Sequence, residues 1–152
     1  MATPSDTKVL LDVMLGELRS LLRMLGYDTA YAMERGVEDD DAVAAIARRE
    51  GRVLLTRDEA LARQVDDSVM VRPTDTDEAL SVLAAAGFDL ELTEPRRCSA
   101  CNGQLRALDP GEDTPEYAPD PTEFRCWECR NCGQLFWKGS HWDAVRERLR
   151  RA

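Results

Sequence analysis

Two cysteine pairs in the last third of the chain have the spacing of zinc ligands. Cys98 and Cys101 form one CxxC pair, and the run Cys126, Cys129 and Cys132 contains two overlapping ones. A CxxC turn supplies two thiolates from one tight loop, and two such turns complete the tetrahedron of a structural zinc site. The sequence therefore predicts one closed zinc site in this part of the chain.

The second pair has to be chosen among three thiols. Cys132 is followed by Gly133, which can adopt the positive φ that such a turn needs, whereas Cys129 of the earlier pair is followed by Arg130. We therefore expect Cys126 to be an unligated thiol in the strand before the turn. The predicted zinc ligands are Cys98, Cys101, Cys129 and Cys132.

Two other cysteine chemistries compete with a closed site. A redox CxxC normally occurs once, at the start of a helix after a strand. A catalytic zinc site keeps an open position and commonly uses histidine, and the only histidine here is His141. Four cysteines leave His141 no required role at the metal.

Three aspartates could bind a different kind of ion. Asp12 ends an apolar strand, Asp58 follows another strand, and Asp40 begins a helix. Mg²⁺ and Mn²⁺ prefer oxygen ligands, and carboxylates from separate elements can hold one or two such ions for phosphodiester hydrolysis. Each acid also has a structural alternative, because Asp40 and Asp58 could cap helices and the run from Glu38 to Asp41 could be a solvated surface. Asp12 is the hardest to explain structurally, since a carboxylate closing a buried strand is costly unless it is paired.

Strands and helices alternate around these acids. We expect strands at Lys8–Asp12, Tyr27–Tyr31, Arg52–Thr56 and Ser68–Arg72. We expect helices over Leu15–Leu25, Asp41–Glu50 and Glu59–Val65, and a fourth that begins at the capping box of Asp75 and Glu78 and continues to Ala86.

This alternation predicts an α/β layer with a mostly parallel sheet. Right-handed crossovers place all carboxyl ends of the strands at one edge, which is where ligands bind in open α/β sheets. The character of the chain changes near Thr93. We therefore expect an α/β unit over residues 7–93 and a small zinc ribbon with a short C-terminal helix over residues 94–152.

The charge balance of the chain is acidic. Its 152 residues include 29 acidic and 20 basic ones, for a net charge of −9, whereas nucleic-acid binders are usually basic. Only Lys8 and Lys138 are lysines. Low lysine with abundant aspartate indicates either a halophilic protein, whose hydrated carboxylates keep it soluble in high salt, or an acidic protein from a GC-rich genome. Acidity weakens long-range attraction to RNA but does not exclude RNA as a substrate.

No apolar run approaches the roughly 18 residues of a membrane span, and residues 1–7 lack the pattern of a signal peptide. We therefore expect a cytoplasmic protein with reduced cysteines and no membrane partner. The sequence leaves its oligomeric state open.

Several short motifs, in order, resemble a known family. They are Leu11-Asp12-x-Met14-Leu15-Gly16, Leu22-Arg23-x-Leu25-Gly26-Tyr27-Asp28, Gly51-Arg52-Val53-Leu54-Leu55-Thr56-Arg57-Asp58, and Cys132-Gly133-x-x-x-Trp137-Lys138-Gly139-Ser140-His141-Trp142. Together they are similar to the PIN-like RNase domain found at the C-terminus of the nematode Mut-seven exonuclease. The resemblance extends from Lys8 to Trp142.

The resemblance implies a three-layer PIN-like nuclease domain with an appended zinc ribbon. It also implies a Mg²⁺- or Mn²⁺-dependent ribonuclease with catalytic acids at Asp12, Asp40 and Asp58, acting on RNA that we expect to be single-stranded. One position departs from the pattern: Glu17 follows the Met-Leu-Gly motif, where the family often has a basic residue.

Two further assignments have alternatives. Arg23 and Arg57 are candidates for substrate phosphate contacts, because a guanidinium matches phosphate oxygens, but both could pair with neighbouring acids instead. The ribbon could be a staple that covers the α/β core, or it could grip RNA through Phe136, Trp137, Lys138 and the arginines between Arg146 and Arg151.

Two functions from different classes remain. The first is a metal-dependent ribonuclease, and the second is an RNA- or protein-binding adaptor that has the fold without catalysis. Close clustering of Asp12, Asp40 and Asp58 favours the nuclease, since an adaptor does not need three acids together.

Overall fold

A parallel sheet of four strands forms the centre of the first part of the chain. The computed structural model describes residues 2–152. The strands are β1 (Lys8–Leu11), β2 (Asp28–Tyr31), β3 (Arg52–Thr56) and β4 (Ser68–Met70). Their order across the sheet is β2-β1-β3-β4 and every neighbouring pair is parallel, so the predicted α/β class is confirmed.

Three helices connect these strands and a fourth follows β4. They are α1 (Arg19–Met24), α2 (Asp40–Glu50), α3 (Glu59–Gln64) and α4 (Thr76–Ala85). The helix expected over Leu15–Leu25 is divided, because a 3-10 segment at Val13–Leu18 precedes α1 and Leu15 leaves helical geometry. The predicted capping box of α4 is present, with the Asp75 carboxylate accepting from the Glu78 amide at 3.1 Å.

The sheet is buried on both faces, which gives three layers. Leu10 and Leu54 point to a core cluster that contains Val43, Ala44, Ile46 and Ala47 of α2 and Leu61 of α3. Their neighbours Leu11 and Leu55 point to the opposite cluster. Successive strand residues alternate between faces, and burial on both explains the continuous apolar run Val9-Leu10-Leu11.

Helix α5 (Ser140–Arg150) packs into the core cluster that contains Leu11 and Leu55. Trp142, Val145 and Leu149 lie in the same core as leucines of β1, α1 and α4. The predicted boundary near residue 93 stays a prediction, but the terminal helix packs with the α/β layers rather than only with the ribbon. The chain thus leaves the α/β core, forms the ribbon and returns.

The ribbon itself is a three-stranded antiparallel sheet. Its strands are β5 (Leu105–Ala107), β6 (Cys126–Cys129) and β7 (Leu135–Trp137), in the order β5-β6-β7. Cys126 therefore lies in the strand that leads to the second cysteine turn, as predicted. Among residues 2–152, no helix combines the length and the apolar character that crossing a bilayer requires.

Candidate functional site

The carboxyl ends of β1 and β3 lie side by side. Leu11 pairs with Leu55 in the parallel register, so Asp12 and Thr56 are the next residues at this edge. The Asp12 amide donates to the Leu55 carbonyl at 3.1 Å, which continues the ladder and fixes the Asp12 backbone. Asp12 is only 6% exposed. The parallel pairing therefore brings the acid of the first strand to the end of the third.

Thr56 connects the acids at this edge. Its hydroxyl donates to Asp12 Oδ2 at 2.7 Å and accepts from the Asp58 amide at 3.0 Å. Asp12 Oδ1 accepts from the Val13 amide at 2.8 Å, and Asp58 Oδ1 accepts from the Leu61 amide at 3.2 Å. Asp12 and Asp58 thus also cap the segments that follow them.

Asp40 is free of the capping role that its position suggested. The N-cap of α2 is Asp39, whose Oδ2 accepts from the Ala42 amide at 3.2 Å, and Asp40 is the first helical residue. Partial burial and then the negative charges of Asp58 and Asp12 raise the pKa of Asp40. Asp40 therefore lies at the same edge as the other two acids.

No cation neutralises this group. Among residues 2–152, no arginine, lysine or histidine nitrogen lies within 4.0 Å of a carboxylate oxygen of Asp12, Asp40 or Asp58. The three are not packed into one tight cluster, since the group whose ligand atoms all lie within 4.8 Å of one another is a set of cysteines. Like charges without a counterion attract a cation, and hard divalent ions accept water in the remaining positions.

Arg57 lies next to the acids and holds the loops around them. Its guanidinium donates to the carbonyls of Met14 and Pro73, each at 2.9 Å, and to Glu17 Oε1 at 3.2 Å. Its Nε is buried and has no hydrogen-bond partner in the part of the chain that the structure describes. Glu17 is thus an ion-pair partner of Arg57 rather than an isolated negative charge.

Among residues 2–152, Arg23 forms its ion pair with Glu34 and with none of the three acids. Its side chain is buried, and its guanidinium donates to the Thr29 carbonyl at 3.1 Å, to the Ser99 carbonyl at 3.2 Å and to Glu34 Oε1 at 2.6 Å. The structure therefore does not bring Arg23 together with Asp12, Asp40 and Asp58. Its alternative assignment, an ion pair with an acid, matches these contacts.

The four predicted cysteines converge. The Sγ atoms of Cys98 and Cys132 are 3.6 Å apart, those of Cys101 and Cys129 are 3.5 Å apart, and all four lie within 4.8 Å of one another. A tetrahedral zinc with Zn–S bonds of about 2.3 Å places its sulfurs about 3.8 Å apart, so the donor set fits one zinc ion. Cys126 is outside the cluster, with its thiol against the carbonyls of Pro119 and Phe124.

Two glycines permit this convergence. Gly133 has a φ of 80°, the left-handed conformation expected after the second pair. Gly103 is required for a different reason, because a Cβ at this residue would lie 2.7 Å from Cys129 Sγ. Burial opposes ionisation of Cys101, but hydrogen bonds from Asn131 and Gly103 outweigh it and lower the pKa of this thiol to about 7.

The first cysteine turn is tied to the edge of the parallel sheet. Asn102, at a φ of 71°, accepts from the Thr29 amide at 2.8 Å through Oδ1 and donates to Asp28 Oδ1 at 2.7 Å through Nδ2. Thr29 lies in β2, an edge strand, and an unpaired edge amide would otherwise be left without a partner. The ribbon therefore completes the hydrogen bonding of this edge.

Asp28 is the centre of this junction. Arg52 donates to its carboxylate at 2.9 Å, and Arg97 lies 3.8 Å from it. Burial acts to raise the pKa of Asp28, but the hydrogen bonds from Asn102 and Arg52 and the nearby arginine charges together lower it. The junction is thus held by a charged carboxylate.

Sequence reasoning missed two of these residues. Thr56 could have been found from its position, because a hydroxyl that ends a strand immediately before Arg57-Asp58 lies at the same edge as Asp12. Asn102 carries a weaker signal: asparagine tolerates the left-handed conformation, and this one directly follows a CxxC pair. His141 is exposed at the start of α5 and belongs to neither site.

A family model described as the Mut7-C RNAse domain matches residues 7–149 of the chain. A search of curated proteins and a search of solved structures each found no match. The match covers nearly the whole chain and includes both the acidic edge and the four-cysteine cluster. This chain therefore belongs to the Mut7-C RNAse domain family.

Proposed function

We propose that the protein is a metal-dependent ribonuclease whose active site is the acidic edge of the parallel sheet. The observation that carries the proposal is the position of Asp12 and Asp58 at the adjacent carboxyl ends of β1 and β3, near enough to Asp40 to raise its pKa after partial burial, with none of the three acids in an ion pair among residues 2–152. The family supports a nuclease role, and the acids supply the oxygen ligands that Mg²⁺ or Mn²⁺ requires. RNA, in single-stranded form, is the proposed substrate.

The chain's own residues have distinct roles in this site. A bound Mg²⁺ or Mn²⁺ would stabilise the negative charge that develops at phosphorus and activate water. Asp12, Asp40 and Asp58 would hold it, and Thr56 orients two of them through one hydroxyl. The hydrogen bonds to Thr56 and the Val13 amide fix the Asp12 rotamer, so this ligand is positioned before any ion binds.

Arg57 is the proposed phosphate contact. It directly precedes Asp58 in the chain. Its guanidinium already donates to the carbonyls of Met14 and Pro73 and to Glu17, so a phosphate oxygen would have to replace one of these contacts. Glu17 offsets part of the Arg57 charge. We therefore expect weaker phosphate attraction than a site with a basic residue at position 17 would provide.

The four-cysteine cluster is proposed as a structural zinc site. All four ligands are thiols, which is typical of closed sites, and Asn131 and Cys132 amides donate to Cys129 Sγ, each at 3.4 Å. The contacts of Arg23 and Asn102 connect this site to the α/β core. Its proposed role is to hold the ribbon against β2.

The test replaces single acids and measures stability and cleavage on the same preparations. Asp12→Asn and Asp58→Asn keep the shape but remove a ligand charge, so Mn²⁺-dependent cleavage of single-stranded RNA should fall by orders of magnitude while the fold survives. Asp41→Asn is the matched control, because Asp41 is an exposed acid in the same run. EDTA provides the blank, with zinc content measured afterwards. Unchanged cleavage in a folded Asp12→Asn protein would reject the proposed site.

An RNA-binding adaptor is the second candidate. The N-cap hydrogen bonds of Asp12 and Asp58 favour it, because they give both acids a structural purpose without any metal. On this alternative, Asn at either position would destabilise the protein by about 1 kcal/mol. Absence of cleavage by the wild type with Mg²⁺ or Mn²⁺, at low and at molar salt, would support the adaptor.

A further inference from the structure

A cavity of about 290 Å³ lies where the ribbon meets the start of α5. Its walls include four ring side chains, Phe136, Trp137, His141 and Trp142, and Arg97 lies at its rim. Trp142 is buried, and its indole N–H has no hydrogen-bond partner in the described chain. The volume lies just below the roughly 300 Å³ at which pockets for drug-sized ligands begin, so the cavity suits one flat ring system.

A second, more open depression of about 360 Å³ adjoins it. Pro95 and Arg97 line both. The second depression adds the guanidinium-bearing residues Arg96 and Arg130 and the indole of Trp127. We call the two together the ribbon face.

The charge of the ribbon face is opposite to that of the whole chain. Within residues 2–152, no aspartate or glutamate lines either depression, although 29 of the 152 residues of the chain are acidic. Arg96 and Arg130 are exposed, and within residues 2–152 neither has a carboxylate within 4.0 Å. Most other arginines are paired, so these two charges are available to an anion.

We propose that the ribbon face binds a segment of single-stranded RNA, with one unpaired base in the aromatic cavity and phosphates along Arg97, Arg96 and Arg130. Stacked bases beside cations are the usual composition of sites for single strands, and guanidinium groups match phosphate oxygens. This inference rests on the proposed ribonuclease function, because it gives the same substrate a second contact.

The ribbon face is remote from the proposed catalytic edge. The Arg97 guanidinium lies 3.8 Å from the Asp28 carboxylate, and Asp28 is opposite Lys8 in the strand register, at the amino ends of β2 and β1. Asp12 and Asp58, in contrast, follow the carboxyl ends of β1 and β3. The ribbon face therefore retains RNA and contributes nothing to bond cleavage. Only an RNA long enough to reach both ends of the strands uses both sites.

Binding of a fluorescent single-stranded RNA of about 12 nucleotides tests the proposal. The protein is the full chain in an Asp12→Asn background without added divalent ions, so that binding is measured without cleavage. Trp137→Ala should weaken binding about tenfold or more, because stacking of one base is lost, and Trp137→Phe should restore part of it. Arg130→Ala should lower the slope of log affinity against log salt by about 0.7.

Matched controls separate these effects from general ones. Phe124→Ala removes an exposed aromatic outside both depressions, and Arg49→Ala removes an exposed arginine on α2. Zinc content and melting temperature verify each variant, and His141→Ala replaces Trp137→Ala if the latter fails to fold. The proposal is overturned if RNA affinity is unchanged both in Arg130→Ala and in the aromatic variant used, Trp137→Ala or His141→Ala. It is also overturned if the control variants lose as much RNA affinity as these variants do. Displacement of the RNA by an acidic peptide at equal concentration would overturn it in favour of a protein partner.

The outcome is independent of catalysis. If the Trp137 and Arg130 variants lose RNA affinity but the wild type cleaves no RNA, RNA binding at the ribbon face is supported and the proposed ribonuclease function is rejected. If the wild type cleaves RNA and the variants bind normally, the ribbon face alone is rejected.

Discussion

One hydroxyl group holds together the two strand ends of the proposed active site. Thr56 donates to the Asp12 carboxylate and accepts from the Asp58 amide, and its own side chain is fully buried. A buried hydrogen bond to a charged group contributes more than a neutral one, and its loss leaves the partner unsatisfied. Thr56 should therefore matter for the geometry of the acids as well as for stability.

Thr56→Val tests this role because valine has the same shape without the hydroxyl. We expect a loss of about 1–3 kcal/mol in the free energy of unfolding and a fall in RNA cleavage beyond what the unfolded fraction explains. Thr29→Val is the control, since Thr29 is equally buried but donates to the Tyr27 carbonyl at the amino end of β2. Equal effects on cleavage in both variants would show that Thr56 acts only through stability.

Asp40 should give the protein a specific pH dependence. Partial burial and the charges of Asp58 and Asp12 raise the pKa of Asp40 in the folded state above the ordinary value of an aspartate, so the folded state holds the proton more tightly than the unfolded state. Stability is then lost as the pH rises from that ordinary value through the folded pKa. Asp40→Asn should be more stable than the wild type above this window without divalent ions, and less stabilised by added Mn²⁺. Melting temperatures measured from acid to neutral pH, with and without Mn²⁺, check both signs.

Cys126 and Cys132 distinguish the two possible cysteine turns, because Cys129 belongs to both. Cys126 lies outside the cluster and Cys132 within it. We expect about one zinc per chain in the wild type and in Cys126→Ser, and reduced occupancy in Cys132→Ser. Metal analysis of the purified proteins measures this directly, and loss of zinc in Cys126→Ser alone would contradict the assignment.

At the scale of elements, the ribbon and the sheet share an edge. Asn102 satisfies the Thr29 amide on β2, and Arg23 reaches from α1 to the carbonyls of the first cysteine turn. A ribbon attached only by a flexible linker would show neither contact. The two parts should therefore unfold together.

Asn102→Gly tests this coupling while keeping the left-handed backbone at that position. Removing the side chain leaves the Thr29 amide unpaired, so we expect a loss of about 1–3 kcal/mol and faster hydrogen exchange at Thr29. Zinc content should not change, because Asn102 donates to no thiol in the described residues. Two separate unfolding transitions in the wild type would contradict the coupling.

The strands and most helices could be predicted from the sequence because their signals are local. Val9-Leu10-Leu11 and Val53-Leu54-Leu55 are apolar runs, and Asp75 with Glu78 is a capping box. The 3-10 segment before α1 could not be predicted, because the leucines from Leu15 onward have helical spacing in either geometry. Packing of α5 on the α/β core depends on contacts between distant residues, which periodicity does not report.

In the candidate sites, too, features with a local sequence signal were predictable and features set by contacts between distant residues were not. The cysteine set was predictable because CxxC spacing is a geometric requirement, and the structure places the thiol of Cys132 in the cluster and that of Cys126 outside it. The neighbours of Arg23 were not predictable, since Ser99 and Ala100 are remote in sequence and contribute only carbonyls. Asp40 was separable from its neighbours only by the structure, where Asp39 takes the cap.

At the scale of the whole molecule, a net charge of −9 is unevenly distributed. Acids are spread along the chain, including six in the ribbon loop from Asp109 to Glu123, whereas the ribbon face carries the exposed arginines Arg96 and Arg130. The excess carboxylates of the chain repel one another, and dissolved salt screens this repulsion.

The melting temperature should therefore rise from low salt to molar KCl at neutral pH. The control is the same series near pH 4.7, the isoelectric point, where net repulsion is absent and the rise should be much smaller. A flat melting temperature at neutral pH would count against a halophilic adaptation and leave an acidic protein of ordinary salt tolerance.

Helix α5 completes a core whose other buried members all lie at or before Leu92 in the chain. During synthesis on the ribosome, β1–β4 emerge first and expose the apolar face that Trp142, Val145 and Leu149 later cover. The ribbon is made in between, so α5 is synthesised only after all four thiols of the ribbon. We therefore expect truncated or metal-starved nascent chains to be left with an open core and to be degraded by proteases. Such an order of assembly would keep an incomplete RNase from acting on cellular RNA.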